Sequence, residues 1–312
     1  VTEMRTAPTG DARADRGPAR TRRKGLSERA LARLFIAPSL LVMALVALFP
    51  VIYAIVLSLY SYTRRQRTGF GGLDNYVDAL TDGRFWSATQ FTFTFTVTSV
   101  AAEFLIGLGF ALLMNQTFRG RGITRAAILI PWVIPTVIAA QMWFFMFNVT
   151  PGFINNIFGL GDFSWLGQPG WATFAIVFAD VWKTAPFVAL LLLAGLQTIP
   201  SEMTESGLVD GANAFQRLWY ITLPLLRPAI LVALLFRTVD ALRVYDLVAV
   251  MTGGAFDTES LSVLVQQYVV RTPNPGYGSA LSTITFILIL AVGMVFVRML
   301  GRDIVVGRGA ER

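Results

Sequence analysis

The chain has 312 residues, of which 54% are hydrophobic and 14% charged, with a formal net charge of +7 and neither Cys nor His. That composition points to a polytopic membrane protein. It excludes thiol nucleophiles, disulfides, imidazole bases and most zinc, copper and haem sites, so an intramembrane enzyme is disfavoured. Lysine occurs only at Lys24 and Lys183, which follow Arg23 and Trp182. A phosphate-cradling P-loop needs Gly before its Lys, so ATP-powered work would need an ATPase on another polypeptide.

Residues 1–33 are polar, with nine basic side chains against four acidic. They are expected to form a flexible tail, because they hold too little apolar surface for a core. The apolar run 34–60 is too long for the core of a cleaved signal peptide and predicts a first membrane helix, interrupted at Pro50. Five more runs follow at 85–114, 126–147, 172–197, 225–250 and 278–300. Each is near the roughly 20 residues that cross a hydrocarbon core. The expected fold is all-α, with about six transmembrane helices in a domain spanning 34–300 and a second tail at 301–312. Pro131, Pro135 and Pro186 lie inside runs and predict kinks.

Basic residues set the orientation. Segments 1–33, 115–125, 198–227 and 298–312 carry 18 of the 26, whereas 61–84, 148–171 and 251–277 carry 5. Both termini are therefore expected in the cytoplasm. The outer cluster Arg64, Arg65 and Arg67 is the exception, either a solvated loop or a docking surface. Segment 148–171 has no Lys or Arg and is rich in Phe and Trp, as interface belts are.

Seven ionisable residues fall within runs: Glu103, Asp180, Lys183, Arg237, Asp240, Arg243 and Asp246. Each costs about 2.5–3.5 kcal/mol at mid-helix on insertion scales. Asp180 and Lys183 are spaced to pair on one helix face. Arg237, Asp240, Arg243 and Asp246 alternate in sign at three-residue steps, which wind around the fifth run. That run is expected inside the bundle or along a cavity. Two readings stand. The charges pair to fix packing, or they line a polar path for a hydroxyl-rich substrate, with Trp143, Trp182 and Tyr245 as flat surfaces. Glu103 is the lone acid of the second run. With Asp180 it could relay protons, which keeps a proton-coupled secondary carrier as an alternative.

Segment 201–224 is polar and patterned. Pro200 ends the fourth run, Ser201 can cap a new helix, and Glu202 suits its positive start. Met203, Leu208 and Val209 give this helix an apolar side. Gly211 allows a left-handed turn, Asn213 can cap a second helix, and Phe215, Leu218, Trp219 and Leu223 form its apolar face. Such a helix–turn–helix is either a connector resting on lipid or a rigid knob for a partner. Glu202, Glu205 and Asp210 weigh against an anionic leaflet.

Glu205, Gly211, Ile221, Leu223 and Pro224, with Asp210 and Ala212 flanking the Gly, resemble the signature loop of binding-protein-dependent ABC importer permeases. Two alanines of that signature are Ser206 and Gly207 here. Gly207 weakens the helix by about 1 kcal/mol relative to Ala, and support is expected from the partner. Residues 72–76, and 240–246 with 251–254, resemble elements of the sugar-type permeases. Residues 180–187 and 235–240 resemble actinobacterial permeases for trehalose and maltose-like sugars.

The resemblance implies a type I importer bundle in a bacterial, actinobacterial plasma membrane, carrying a disaccharide. It implies a homologous second permease, two ATPase subunits that bind ATP and Mg, and an extracellular sugar-binding (lipo)protein, in contact with membrane lipid and no nucleic acid. This chain would hold no cofactor, metal or catalytic residue of its own. Coupling to the ATPase would fall to Glu202, Glu205, Ser206, Gly207, Asp210, Gly211, Ala212, Ile221, Leu223 and Pro224. The substrate path would draw on Glu103, Trp143, Asp180, Trp182, Lys183, Arg237, Asp240, Arg243, Tyr245 and Asp246.

Overall fold

A computed structural model describes residues 28–309, apart from 64, 65, 151 and 273. The expected tail at 1–33 lies largely outside the described residues, as do Arg64 and Arg65. The chain divides into two units between Pro50 and Val51.

Helix α1 is Glu28–Ser58 and contains Pro38 and Pro50. The expected interruption at Pro50 is therefore a correction: the helix continues past it. From 33 to 50 every side chain is exposed. A helix apolar all round is built for lipid or for another subunit.

In the second unit, β1 (Tyr60–Thr63) and β2 (Gln66–Phe70) form an antiparallel hairpin, a local addition to the all-α expectation. Arg67 stacks its guanidinium 3.2 Å from the Tyr60 ring centroid, a cation–π contact. Helix α2 (Asp74–Thr81) follows. Asn75 at its start is buried and donates to the Ser58 and Tyr60 carbonyls at 2.8 and 3.0 Å. Tyr76 Oη lies 2.5 Å from Ser58 Oγ. The 72–76 motif thus staples α2 to the end of α1.

Helices α3 (Gly83–Asn115) and α7 (Trp171–Leu196) form the central pair. Ser99 meets Asp180, Thr184 meets Glu103, and Gly107 meets Val188, so the two helices run in the same direction. A β-carbon on Gly107 would stand 2.8 Å from a Val188 methyl. A small residue there lets the backbones approach closely.

The third expected span is two helices, α4 (Arg121–Val133) and α5 (Thr136–Phe147), bent by 92° at Ile134-Pro135. Pro135 has no N–H to carry the helix on, and Pro131 lies in the last turn of α4. Pro186 behaves differently and sits inside an unbroken α7. A short α6 (Phe153–Phe158) lies in the aromatic segment.

After α7 come α8 (Ser201–Val209), α9 (Ala214–Arg217), a π-turn (Leu218–Thr222) and α10 (Leu223–Ala241). The fifth expected span overruns here. Helix α10 stops at Ala241, and Asp246–Met251 is a separate helix, α11. The break is satisfied locally, because the Val244 carbonyl accepts from Ser260 Oγ at 2.7 Å. Helix α12 (Leu261–Gln266) and a π-turn lead into α13 (Pro275–Gly309). Among the described residues five helices are long and apolar enough to cross a membrane, or six if the bent α4–α5 pair is one span.

Among the described residues the core has three apolar clusters. One joins α3, α5, α7 and α11 around Phe95 and Ile176, the second joins α3, α7 and α10 around Leu192 and Leu226, and the third joins α2, α3, α12 and α13 around Leu261 and Leu281.

Candidate functional site

Between the first two clusters lies a knot of buried charge. Arg237 of α10 is 2% exposed. Its guanidinium reaches the middle of the α3–α7 pair, where Nη2 donates to Glu103 Oε1 at 2.8 Å and pairs with Asp180, and Nε pairs with Glu103 Oε2. Nη1 donates to Asp240 at 2.9 Å. Ser99 Oγ lies 2.7 Å from Glu103 Oε1 and 2.5 Å from Asp180 Oδ2. Thr184 Oγ1 lies 2.7 Å from Glu103 Oε1 and 2.6 Å from the Asp180 carbonyl. Each hydroxyl has one proton to give and so serves one acceptor at a time. Buried ions survive only when paired and hydrogen-bonded in this way.

Two expectations are corrected here. Glu103, still the lone acid of its run, is not left unpaired, since an arginine from another helix neutralises it. Asp180 does not pair with Lys183 on its own helix, because its carboxylate goes to Arg237 and Ser99. The alternating series also fails beyond its first step. Arg237 pairs with Asp240, then α10 ends, and Arg243 and Asp246 lie past the break.

The break nevertheless gathers these residues around one pocket. Asp180, Lys183, Arg237, Asp240, Arg243, Tyr245 and Asp246 all line a cavity of about 150 Å³. Formal charge on the lining is balanced, three positive against three negative, with Glu103 held behind it. Lys183 is 8% exposed, and its ammonium makes no ion pair or hydrogen bond among the described residues. Phe95, Thr136, Thr184, Ala241, Val244 and Leu247 complete the wall. Sequence reasoning missed these and Ser99. Spacing was the available signal, because Ser99 and Thr184 stand one helical turn from Glu103 and Asp180.

Of the three aromatic candidates, only Tyr245 faces this pocket. Trp143 is buried among Phe147, Phe178 and Trp182, with ring centroids 5.6, 5.0 and 5.4 Å away. Trp182 lines a separate apolar groove of about 840 Å³ with Phe178, Ile106 and Pro186.

The 201–224 segment closes on itself. The Gly211 N–H donates to the Leu208 carbonyl at 3.1 Å and the Ala212 N–H to the Gly207 carbonyl at 2.9 Å. With Gly211 at φ +79°, this is a Schellman motif. Asn213 and Gln216 form a capping box at 2.9 Å each way, and Arg217 Nη1 donates to the Ala212 carbonyl at 2.6 Å. Ser201 does not cap α8. Pro200 occupies that position, and Ser201 is already helical. Gly207 is buried because Ile221 packs on it: a β-carbon there would lie 2.7 Å from Ile221 Cδ1. Its support comes from within the chain, not from a partner alone. Glu202, Glu205, Ser206, Asp210 and Gly211 are exposed. So are Val209, Phe215, Trp219 and Tyr220, at 88%, 68%, 54% and 80%. Tyr220 is an addition to the expected surface. Leu223 and Pro224 open α10.

Residues 103–306 match the binding-protein-dependent transport system inner membrane component family. The chain belongs to that family. The permease is 44% identical over 278 residues to the trehalose/maltose transport system permease protein MalF of Thermococcus litoralis, covering 87% of this chain and 94% of that one. It is 39% identical to the trehalose transport system permease protein SugA of Mycobacterium tuberculosis, covering 88% and 90%. It is 37% identical to the sulfoquinovosyl glycerol transport system permease protein SmoG of Agrobacterium fabrum, covering 91% and 94%. Its fold matches a chain of a bacterial ABC transporter for the acidic polysaccharide alginate, with a TM-score of 0.75 at 22% identity, over 87% of this chain and 95% of that one.

Proposed function

We propose that this permease is one membrane subunit of an ATP-driven importer of an uncharged disaccharide such as trehalose or maltose. The observation that carries the reading is that both candidate sites sit on one α7–α8–α9–α10 unit. Helix α7 runs from Asp180 and Lys183 to the 201–224 loop, and α10 returns from that loop to Arg237. The Arg237–Asp180 pair ties the two helices together beside the pocket. A push on the exposed loop face therefore tilts both walls of the pocket.

In this reading the loop and both termini face the cytoplasm. The exposed Glu202, Glu205 and Asp210 with Phe215, Trp219 and Tyr220 seat in an ATPase subunit, and Gly211, Ala212, Ile221, Leu223 and Pro224 set the loop's shape. Two ATPase subunits bind ATP and Mg, a second permease completes the path, and a binding protein delivers sugar from outside. Closure of the ATPases on ATP opens the pocket outward, and hydrolysis reverses it. The pocket's balanced charge supports a neutral cargo. A proton relay through Glu103 and Asp180 has no support, because Arg237 holds both carboxylates.

The test is uptake into vesicles holding both permeases and both ATPases, with the binding protein outside and ATP inside. ATP-dependent accumulation of trehalose or maltose is expected. Accumulation driven by a proton gradient without ATP would overturn the reading.

A further inference from the structure

Helices α3 and α7 begin at the end of the bundle opposite the 201–224 loop. Between their first turns and the 254–259 turn lies a second cleft, of about 690 Å³. That is within the roughly 300–1,000 Å³ typical of small-molecule sites. The charged pocket, at about 150 Å³, is too small in this structure for two sugar rings. The two cavities share a wall, since Phe91 lines the outer cleft and Phe95 the charged pocket. Their rings stack with centroids 6.1 Å apart.

The cleft's chemistry is specific. Ser87, Gln90 and Thr94 point into it at helical spacing from α3, and all three are exposed. A polar stripe on a membrane helix is not built for lipid. Among the described residues the Gln90 amide and the Thr94 hydroxyl have no hydrogen-bond partner. The opposite wall is the 254–259 turn, where Phe256 and Asp257 hold φ +57° and +59°, a conformation such residues rarely adopt. Phe256 offers an exposed ring face. Asp257 makes no ion pair among the described residues, whereas Glu259 is fully engaged by Arg84 in a fork of two 2.7 Å bonds. The lining therefore carries two carboxylates against one guanidinium, and that guanidinium is already bound. Free amide, hydroxyl and carboxylate groups beside the exposed Phe256 ring suit a ring rich in hydroxyls, and the spare negative charge repels a sulfonated or phosphorylated one.

We propose that this cleft is a binding subsite for one ring of an uncharged sugar, occupied before the sugar passes the Phe91–Phe95 stack into the charged pocket. The proposal rests on the sugar-import reading above.

The complete transporter in vesicles tests it with trehalose and with maltose as probes. Removing the two free polar groups with Gln90→Ala and Thr94→Val is expected to raise the uptake KM roughly tenfold, the scale of two lost hydrogen bonds, while the maximal rate holds. Filling the cleft with Gln90→Trp should raise it further. The binding-protein concentration that half-stimulates ATP hydrolysis should stay as in wild type. An unchanged KM in the double variant and in Gln90→Trp overturns the subsite while leaving sugar import intact. A shift confined to binding-protein concentration also overturns it, and makes the cleft a protein-docking surface. If the wild-type transporter moves neither sugar, the import reading falls and the subsite with it.

Discussion

Ile221 Cδ1 occupies the space into which a β-carbon on Gly207 would project, 2.7 Å from that point. The last turn of α8 and the π-turn before α10 are thus pressed together at a residue without a side chain. The obstacle is the mobile end of an isoleucine, so Gly207→Ala should be tolerated. Alanine gains about 1 kcal/mol of helix propensity, which offsets the shift of one methyl. Gly207→Leu cannot be accommodated that way and should splay the loop. We expect uptake and ATPase co-purification within about twofold of wild type for Ala, a range set by less than 1 kcal/mol, and loss of both for Leu.

Gly211 separates a conformational requirement from a steric one. Nothing lies within 4 Å of a β-carbon built there, and its φ is +79°. A substitution is then penalised for backbone conformation alone, by about 1–2 kcal/mol for an ordinary residue and less for Asn. The expected order of retained ATPase association is Gly, then Asn, then Ala, then Val. Measuring it by co-purification of the ATPase with each variant decides the point. If Val equals Gly, the left-handed turn is not what the partner holds.

Arg237 holds the bundle's centre by neutralising Glu103 and Asp180. Arg237→Met strands those two buried carboxylates, and breaking a buried pair from one side costs about 3–5 kcal/mol. Low yield in the membrane and a lower Tm in detergent are expected. Adding Glu103→Gln and Asp180→Asn removes the stranded charge and should restore much of the loss. The non-additivity of that cycle, about 0.5–3 kcal/mol for groups in one network, is the measurement. Additive effects would show that the three side chains do not act together.

How much of this was legible in the sequence depended on range. Loop chemistry is local, so Asn213, Gly211 and Pro135 announced their cap, turn and break. The end of α10 was not announced. Leu242, Val244 and Leu247 continue the apolar pattern, and the helix stops because α11 packs on α5 and the Ser260 hydroxyl donates to the Val244 carbonyl. Two of Arg237's partners, Glu103 and Asp180, were hidden for the same reason. They lie 134 and 57 residues away and come together only through the parallel register of α3 and α7. Spacing along one helix therefore gave the right partner for Asp240, Arg237, and the wrong one for Asp180, Lys183, although it selected residues that do share a pocket.

Lys183 provides the sharpest test of that pocket. It is nearly as buried as Asp180, yet its ammonium makes no hydrogen bond or close ion pair among the described residues, so removing its charge should not unfold the protein. Lys183→Met keeps the length of the side chain and its apolar stem. It is expected to assemble with a Tm near wild type, in contrast to Arg237→Met. If the ammonium donates to a sugar hydroxyl, a hydrogen bond to a charged group worth about 1.5–3 kcal/mol is lost. That predicts an uptake KM higher by roughly 10- to 150-fold, with the maximal rate changed less. A Lys183→Met variant with unaltered KM would leave the pocket's charges to packing and move the sugar's path elsewhere. A variant that fails to assemble would mean that Lys183 is held by the second permease.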